Sequence, residues 1–339
     1  GHLLLLAPDI LKTTVTYSHD YIRKHAPLTC MQANGRGALM HLRLDQPAVA
    51  SRYDAVMLAN LSPDHPEDRH IMFRRLRIWL LHHARTQEVS LACLRNFERA
   101  ADGGAVWNYH VPTGNGLYVD ISVKIEILPG KNQTRISFLR REMRGHDYLK
   151  EDASVKLIVR PDLEDRNFHC ATKASGLESV WPGKVLFKER GFEFTPAPGR
   201  TLSLTVSSGR FTPEAEWSYM IWQPNEADRG LDPYSDTYSP GYFDFDLIDG
   251  SAVQIAASIQ TADEPEKLQP ARPVPADFHP ETDLGIEYSM LNAMRAFVVK
   301  RGSLKTVIAG YPWFLDWGRD TLIAARGLVA AREFREDVK

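Results

Sequence analysis

The stretch LYVDISVKIEI, at residues 117–127, decides the class of fold. Apolar side chains occupy every second position from Leu117 to Ile127, and mostly polar ones stand between them. Successive side chains of a strand point to opposite faces, so this period of two predicts a half-buried antiparallel strand. The turn sequence LPGKN at 128–132 ends it, and a second alternating run at 134–139 follows at the spacing of a hairpin.

The same alternation recurs along the middle of the chain, where clusters of Pro and Gly separate the runs. Further runs occupy residues 155–159, 202–206, 243–247 and 253–259. Turn sequences such as WPG at 181–183 and PAPG at 196–199 lie between them. Many short strands with few helical intervals predict an antiparallel β-sandwich rather than alternating βαβ units. We therefore predict a mainly β fold, with a β-sandwich domain over residues 1–262.

Charge, hydropathy and cysteine content exclude several classes of protein. The 339 residues carry 41 Lys and Arg against 43 Asp and Glu, and a net charge of -2 gives no basic field for nucleic acid. No apolar run approaches the ~18–20 residues that cross a bilayer, so we predict no membrane partner. Three widely spaced cysteines, Cys30, Cys93 and Cys170, form neither a disulfide framework nor a zinc pattern. We therefore predict a cytoplasmic protein that has no metal and no cofactor.

Two segments allow more than one interpretation. Residues 68–85 fit a long strand or a helix about equally well, and we favour a solvated face over a basic patch for their arginines. These arginines are Arg69, Arg74, Arg75, Arg77 and Arg85. The acidic and aromatic run at 232–244 is predicted to be a loop packed by its own rings, with oligosaccharide binding as the alternative.

The character of the sequence changes near residue 260. The polar, proline-rich stretch 263–280 is typical of an extended linker. Beyond it, apolar residues at three- and four-residue steps predict a helix that begins near Asp283 and ends at Gly302, and a second helix at 320–334. Two helices cannot bury apolar faces on both sides. Residues 281–339 therefore either pack back on the β-sandwich or belong to a larger assembly of helices.

The segment between these helices holds the candidate binding residues. They are Tyr311, Trp313, Asp316, Trp317, Arg319 and Asp320. Flat aromatic faces pack on a pyranose ring, while carboxylate and guanidinium groups hydrogen-bond its hydroxyls. In the alternative interpretation the tryptophans belong to the core, and Arg319 with Asp320 forms a helix cap or an ion pair. The residue types alone favour neither the sugar-binding interpretation nor the structural one.

The sequence AGYPWF at 309–314, followed by DWGRDTLIA at 316–324, resembles the signature of the amylo-α-1,6-glucosidase (glycogen-debranching enzyme) family. The stretch SRYDAVMLANL at 51–61 resembles the amino-terminal β-domain of that family. The resemblance implies a supersandwich-like β-sandwich, a linker, and the first helices of a truncated (α/α)6 barrel at 281–339. It also implies that Arg319 and Asp320 hold glucose at the -1 subsite, and that glycogen or a branched α-glucan is the substrate.

The family hydrolyses the α-1,6-linked glucose stub at a glycogen branch with inversion, which needs an acid and a base whose carboxyls lie ~6.5–9.5 Å apart. In family members both carboxylates lie downstream of this motif, so we expect the catalytic residues to be absent from this chain and the chain alone to be inactive. An exposed barrel face would then favour self-association. The alternatives are a non-catalytic carbohydrate-binding or scaffolding β-sandwich, and an (α/α)6 hydrolase or phosphorylase of another specificity.

Overall fold

The computed structural model describes residues 13–62, 64–100, 102–261, 283–331 and 334–335. The predicted linker at 263–280 lies outside the described residues. Within these ranges the fold is mainly antiparallel β, as predicted, with strands β1–β19 and helices α1–α4 numbered along the chain. No helix in this part of the chain is long and apolar enough to span a membrane.

The first of two large sheets has nine strands among the described residues. In spatial order they are β1 (Thr13–Ser18), β7 (Leu94–Ala100), β8 (Ala105–Gly114), β9 (Leu117–Ile127), β10 (Gln133–Arg140), β17 (Ala252–Thr261), β14 (Arg200–Val206), β13 (Gly191–Ala197) and β12 (Val185–Lys188). Strand β9 has the bounds predicted from its alternation. It pairs with β10 so that Ile125 lies opposite Ile136.

The second sheet has eight strands in the same described ranges. They are β15 (Arg210–Trp222), β16 (Tyr234–Leu247), β11 (Val155–Asn167), β5 (Arg69–His82), β4 (Ala55–Asn60), β3 (Leu39–Arg43) and β2 (Thr29–Ala33), with β6 (Arg85–Glu88) beside β5. Helix α1 (His19–His25) joins β1 to β2, and helix α2 (Pro224–Asp228) joins β15 to β16.

The main hydrophobic core is built from apolar side chains of both sheets. Phe138 of β10 packs on Phe245 of β16 with ring centroids 5.2 Å apart. Trp107 of β8 is buried and donates its indole N–H to the carbonyl oxygen of Leu44 at 2.9 Å. The alternating positions that the sequence marks as apolar therefore face each other across the sandwich, which confirms the predicted fold class.

The segment 68–85 contains strand β5 and the start of β6 rather than a helix. The predicted solvated face holds for Arg85, which is exposed, and is wrong for the other four arginines. Arg69 and Arg74 are fully buried. Arg75 and Arg77 lie against Asp162 of the neighbouring strand β11, with the Nε of Arg75 2.6 Å from one carboxylate oxygen. Because β11 places carboxylates beside these arginines, charged side chains are tolerated on a mostly covered face.

The run at 232–244 is also a strand, so the predicted loop is a second correction. Strand β16 pairs with β11 on one side and with β15 on the other. Tyr238 at its centre is buried, and its ring packs 5.3 Å from that of Trp217. Gly241 permits the close approach of β15, because a Cβ there would lie 2.1 Å from the carbonyl oxygen of Thr212.

The C-terminal region contains a hairpin that the sequence did not predict. Helix α3 (Asp283–Phe297) ends five residues before Gly302, and strands β18 (Val298–Arg301) and β19 (Leu304–Val307) follow it. Gly302 lies in the hairpin turn with a φ of 56°. Helix α4 (Gly318–Ala330) begins near the predicted position. The β-branched residues after Phe297 continue the helical apolar spacing although they favour a strand, which explains the error.

A second core cluster joins this region to the sandwich. Of the two predicted arrangements, packing of the C-terminal region on the β-sandwich is therefore observed. The sandwich contributes buried residues from the second sheet and its loops, and the C-terminal region contributes Val299, Ile308 and Tyr311. The sandwich residues are Leu39, Tyr53, Ala55, Leu58, Ile71 and Phe168. The domain boundaries at 262 and 281 stay predictions.

Candidate functional site

The segment 308–317, between β19 and α4, is folded onto itself and is called the aromatic loop below. Ile308 and Asp316 form an antiparallel bridge. The amide of Ala309 donates to the carbonyl oxygen of Leu315 at 2.9 Å, and the amide of Phe314 donates to that of Gly310 at 2.7 Å. These bonds close the loop, so its side chains project from a defined backbone.

Tyr311 anchors the aromatic loop in the second core cluster. Its ring packs against Phe297 with centroids 5.4 Å apart, and the guanidinium of Arg69 lies 5.2 Å from its centre. Burial raises the pKa of Tyr311 above its ordinary value, with Arg69 opposing the shift, so the phenol stays neutral at physiological pH. A role for Tyr311 in binding a ligand stays a prediction.

Three rings of the aromatic loop are turned to solvent. Trp313 is 52% exposed, and Phe314 and Trp317 are each 53% exposed. The alternative interpretation, in which the tryptophans belong to the core, is therefore wrong. Large exposed rings grouped in one short loop are unusual unless a ligand or another surface covers them.

Asp316 is held by the hairpin. Its carboxylate accepts hydrogen bonds from the guanidinium of Arg301 and from the hydroxyl of Thr306, the latter at 3.0 Å. The side chain is 6% exposed. Asp316 thus fixes the end of the aromatic loop next to Trp317, and its predicted contact with a ligand stays a prediction.

Arg319 and Asp320 lie in the first turn of α4. Their side chains are 76% and 37% exposed and approach each other to 3.6 Å. No side chain caps this helix, so the pair does not act as a cap. An ion pair this exposed contributes little to stability. The helix therefore presents a guanidinium and a carboxylate to solvent directly after Trp317.

This arrangement offers the types of group that contact a polyol. Exposed rings supply apolar faces, Arg319 supplies donors, and Asp320 supplies acceptors. In the part of the chain that the structure describes, no group of three or more His, Cys, Asp or Glu side chains could hold a metal ion.

One site residue, Arg69, was not predicted from the sequence. It belongs to β5 of the sandwich, yet its Nη2 donates to the carbonyl oxygen of Phe314 at 2.6 Å. Burial lowers the pKa of Arg69 to about 10, against opposing effects of Tyr311 and Glu67, so it stays charged at neutral pH. Nothing in the local sequence distinguishes it from the other arginines of 68–85.

The β-sandwich carries an exposed aromatic loop beside an Arg–Asp pair, a set of residue types that can bind a sugar ring. A family model described as "Glycogen debranching enzyme N terminal" matches residues 30–254, and one described as "Amylo-alpha-1,6-glucosidase" matches residues 292–338. The chain belongs to the glycogen debranching enzyme family, as its sequence signature predicts.

A crystal structure of bacterial glucoamylase complexed with acarbose is similar at 11% identity, with a TM-score of 0.39. The similarity covers 75% of this chain and 34% of that chain, so the chain spans about a third of the length of that relative. No curated protein matches the chain.

Proposed function

We propose that this chain forms the β-sandwich and the first barrel elements of an amylo-α-1,6-glucosidase. Its substrate is the α-1,6-linked glucose stub of glycogen or of a limit dextrin, which it hydrolyses with inversion in the cytoplasm. One observation carries the proposal: three exposed rings stand directly before a solvent-facing Arg319 and Asp320, inside the range that matches the amylo-alpha-1,6-glucosidase model.

In this proposal, residues 311–320 bind and orient glucose and do not perform the acid–base chemistry. The carboxylate of Asp316 accepts hydrogen bonds from Arg301 and Thr306, so it is already engaged in holding the loop. Asp320 lies beside Arg319 and is suited to accept hydrogen bonds from sugar hydroxyls. The general acid and base of the inverting reaction come from elsewhere in the barrel, so the chain alone is inactive.

The same proposal includes self-association through the faces of α3 and α4. Large apolar side chains on these helices are exposed, and burying them in a second copy would remove apolar area from water. They are Ile286, Met290, Leu322, Ile323 and Val329.

The proposal is tested by glucose release from a branched limit dextrin by the full-length gene product, with the anomer followed by NMR. We expect the inverted anomer. Arg319→Ala and Asp320→Ala are expected to lower kcat/KM by roughly 100-fold or more, because each removes a preorganised polar contact. Arg326→Ala, an exposed arginine of the same helix, is the matched control. Unchanged turnover in either site variant contradicts the subsite role.

The same assay separates the alternatives. Glucose 1-phosphate formed only with added phosphate would indicate a phosphorylase. A protein without turnover that binds the glucan equally well after Trp313→Ala and Trp317→Ala would indicate a non-catalytic β-sandwich that binds sugar elsewhere.

A further inference from the structure

Arg69 is a buried charge that forms no salt bridge within the described residues, although Glu67 lies near enough to favour its charged form. It is fully buried at the start of β5, and it forms no ion pair with any carboxylate in the described ranges. Two of its nitrogens, Nε and Nη1, are buried there without a hydrogen-bond partner. A buried guanidinium with so few partners is costly, because its interactions with water are lost. Arg75 and Arg77 of the same strand, by contrast, share Asp162.

The contacts that Arg69 does make join the sandwich to the aromatic loop. Its guanidinium lies 4.5 Å from the ring centre of Phe168, a sandwich residue, and 5.2 Å from that of Tyr311. Its Nη2 donates to the carbonyl oxygen of Phe314 at 2.6 Å. Two of these three contacts are therefore to the loop, and together they fix both a ring and a peptide group.

The hydrogen bond from Arg69 completes the backbone hydrogen bonding of Phe314. The amide of Phe314 is bonded to Gly310, and its carbonyl oxygen is bonded to Arg69, so both polar groups of the residue are satisfied within the protein. The ring of Phe314 and the neighbouring ring of Trp313 remain exposed.

We infer that Arg69 is a positioning residue of the sugar site, which acts from the β-sandwich by holding the aromatic loop in its ring-out conformation. The inference rests on the proposed function for what the loop binds. The planar guanidinium is needed because it contacts two rings and donates sideways to a carbonyl oxygen, whereas the ammonium of a lysine has no planar surface to stack.

Two measurements on Arg69→Lys test the inference, with Arg85→Lys, an exposed arginine of β6, as the control. The first is hydrogen exchange of this chain, resolved for residues 309–317. We expect faster exchange of the Ala309 and Phe314 amides, whose hydrogen bonds close the loop, in Arg69→Lys, with unchanged exchange in β9 and β10. Unchanged exchange in the loop overturns the positioning role.

The second measurement is the kinetics of the full-length gene product on limit dextrin, well below the unfolding temperature. We expect kcat/KM to fall roughly tenfold in Arg69→Lys, the effect of losing one charge-assisted hydrogen bond. A purely structural link would lower the unfolding temperature and leave kcat/KM of the folded enzyme at the control value, which overturns the inference. Wild-type protein without activity contradicts the proposed function instead, and the exchange comparison still decides whether Arg69 holds the loop.

If Arg69→Lys does not fold, Phe168→Leu provides the second test, since it keeps the guanidinium and removes one stacked ring. The same local rise in exchange is expected, and its absence contradicts the inference.

Discussion

Asp165 shows how one carboxylate joins the two sheets of the sandwich. It lies on β11 of the second sheet and accepts two hydrogen bonds from Arg200 on β14 of the first, at 2.6 and 2.8 Å. His70 on β5 lies 2.6 Å away on the same carboxylate. Burial alone would raise the pKa of Asp165, but the hydrogen bonds from His70 and Arg200 outweigh it and hold the pKa below its usual value.

We predict that Asp165→Asn lowers the free energy of unfolding at pH 7 by about 2–3 kcal/mol, because the charge-assisted bonds are lost. The unfolded chain binds this proton more readily than the folded one, so the contribution is present above the ordinary pKa of ~3.9 and is lost as the pH falls. The free energies of unfolding measured by urea titration at pH 7 and pH 3 should therefore differ less for Asp165→Asn than for the wild type. Asp20→Asn, on an exposed carboxylate, is the control, and an equal pH slope in both variants would contradict the assignment.

Substitutions of Asp316 and Asp320 should distinguish a role in loop stability from a role in ligand binding. Asp316→Ala removes the acceptor of Arg301 and Thr306, and we expect faster hydrogen exchange across residues 309–317. Asp320→Ala changes a solvent-facing carboxylate, so we expect little change in exchange and a large fall in kcat/KM on limit dextrin. The reverse pattern would show that Asp316 is the ligand contact.

The sequence motif identified the aromatic loop but not the direction of its side chains. Tyr311 and Asp316 turn inward while Trp313 and Trp317 turn outward. A strand or a helix has a repeating period from which the direction of each side chain can be predicted, and a loop has none. Arg69 was missed for a different reason: it lies 245 residues before Phe314 in the chain, and only the fold brings them together.

At the scale of the elements, alternation of apolar and polar residues predicted β9 with its observed bounds. Its polar positions Asp120 and Ser122 are nevertheless buried, so the pattern identified the strand without giving the exposure of its second face. Alternation left β5 open between a strand and a helix and identified only the 243–247 end of β16, since in both strands polar side chains are buried in pairs. Period alone cannot distinguish such strands from a helix or a loop, because the neighbours that satisfy the charges lie on distant strands.

Gly191 marks a close contact between β13 and β14. A Cβ at this position would lie 1.9 Å from the carbonyl oxygen of Leu204. We predict that Gly191→Ala lowers the free energy of unfolding by roughly 1–3 kcal/mol, since the strands must move apart. Gly183→Ala, where the added methyl group meets open space, is the matched control. Equal denaturation midpoints for the two variants would contradict this interpretation.

For the molecule as a whole, the second core cluster sets how firmly the C-terminal region is attached. Ile308 is buried in this cluster, whereas Leu304 of the adjoining hairpin is exposed. We predict that Ile308→Ala lowers the free energy of local unfolding of the C-terminal region by about 2–4 kcal/mol. Hydrogen exchange should then be faster at 298–321 and unchanged in β9 and β10. Leu304→Ala should leave both regions as in the wild type. Uniform acceleration across the chain would instead indicate a single cooperative unit.

The second core cluster also constrains the order in which the protein can mature on the ribosome. The sandwich that carries half of this cluster is complete only once β17 has emerged at Thr261, and Val299 follows 38 residues later, an interval of roughly 2–8 s at ~5–20 residues per second. During that time the sandwich residues of the second core cluster are exposed to solvent. Nascent chains stalled before Val299 should therefore bind an apolar dye or a holdase chaperone, and chains stalled after α4 has emerged should release it.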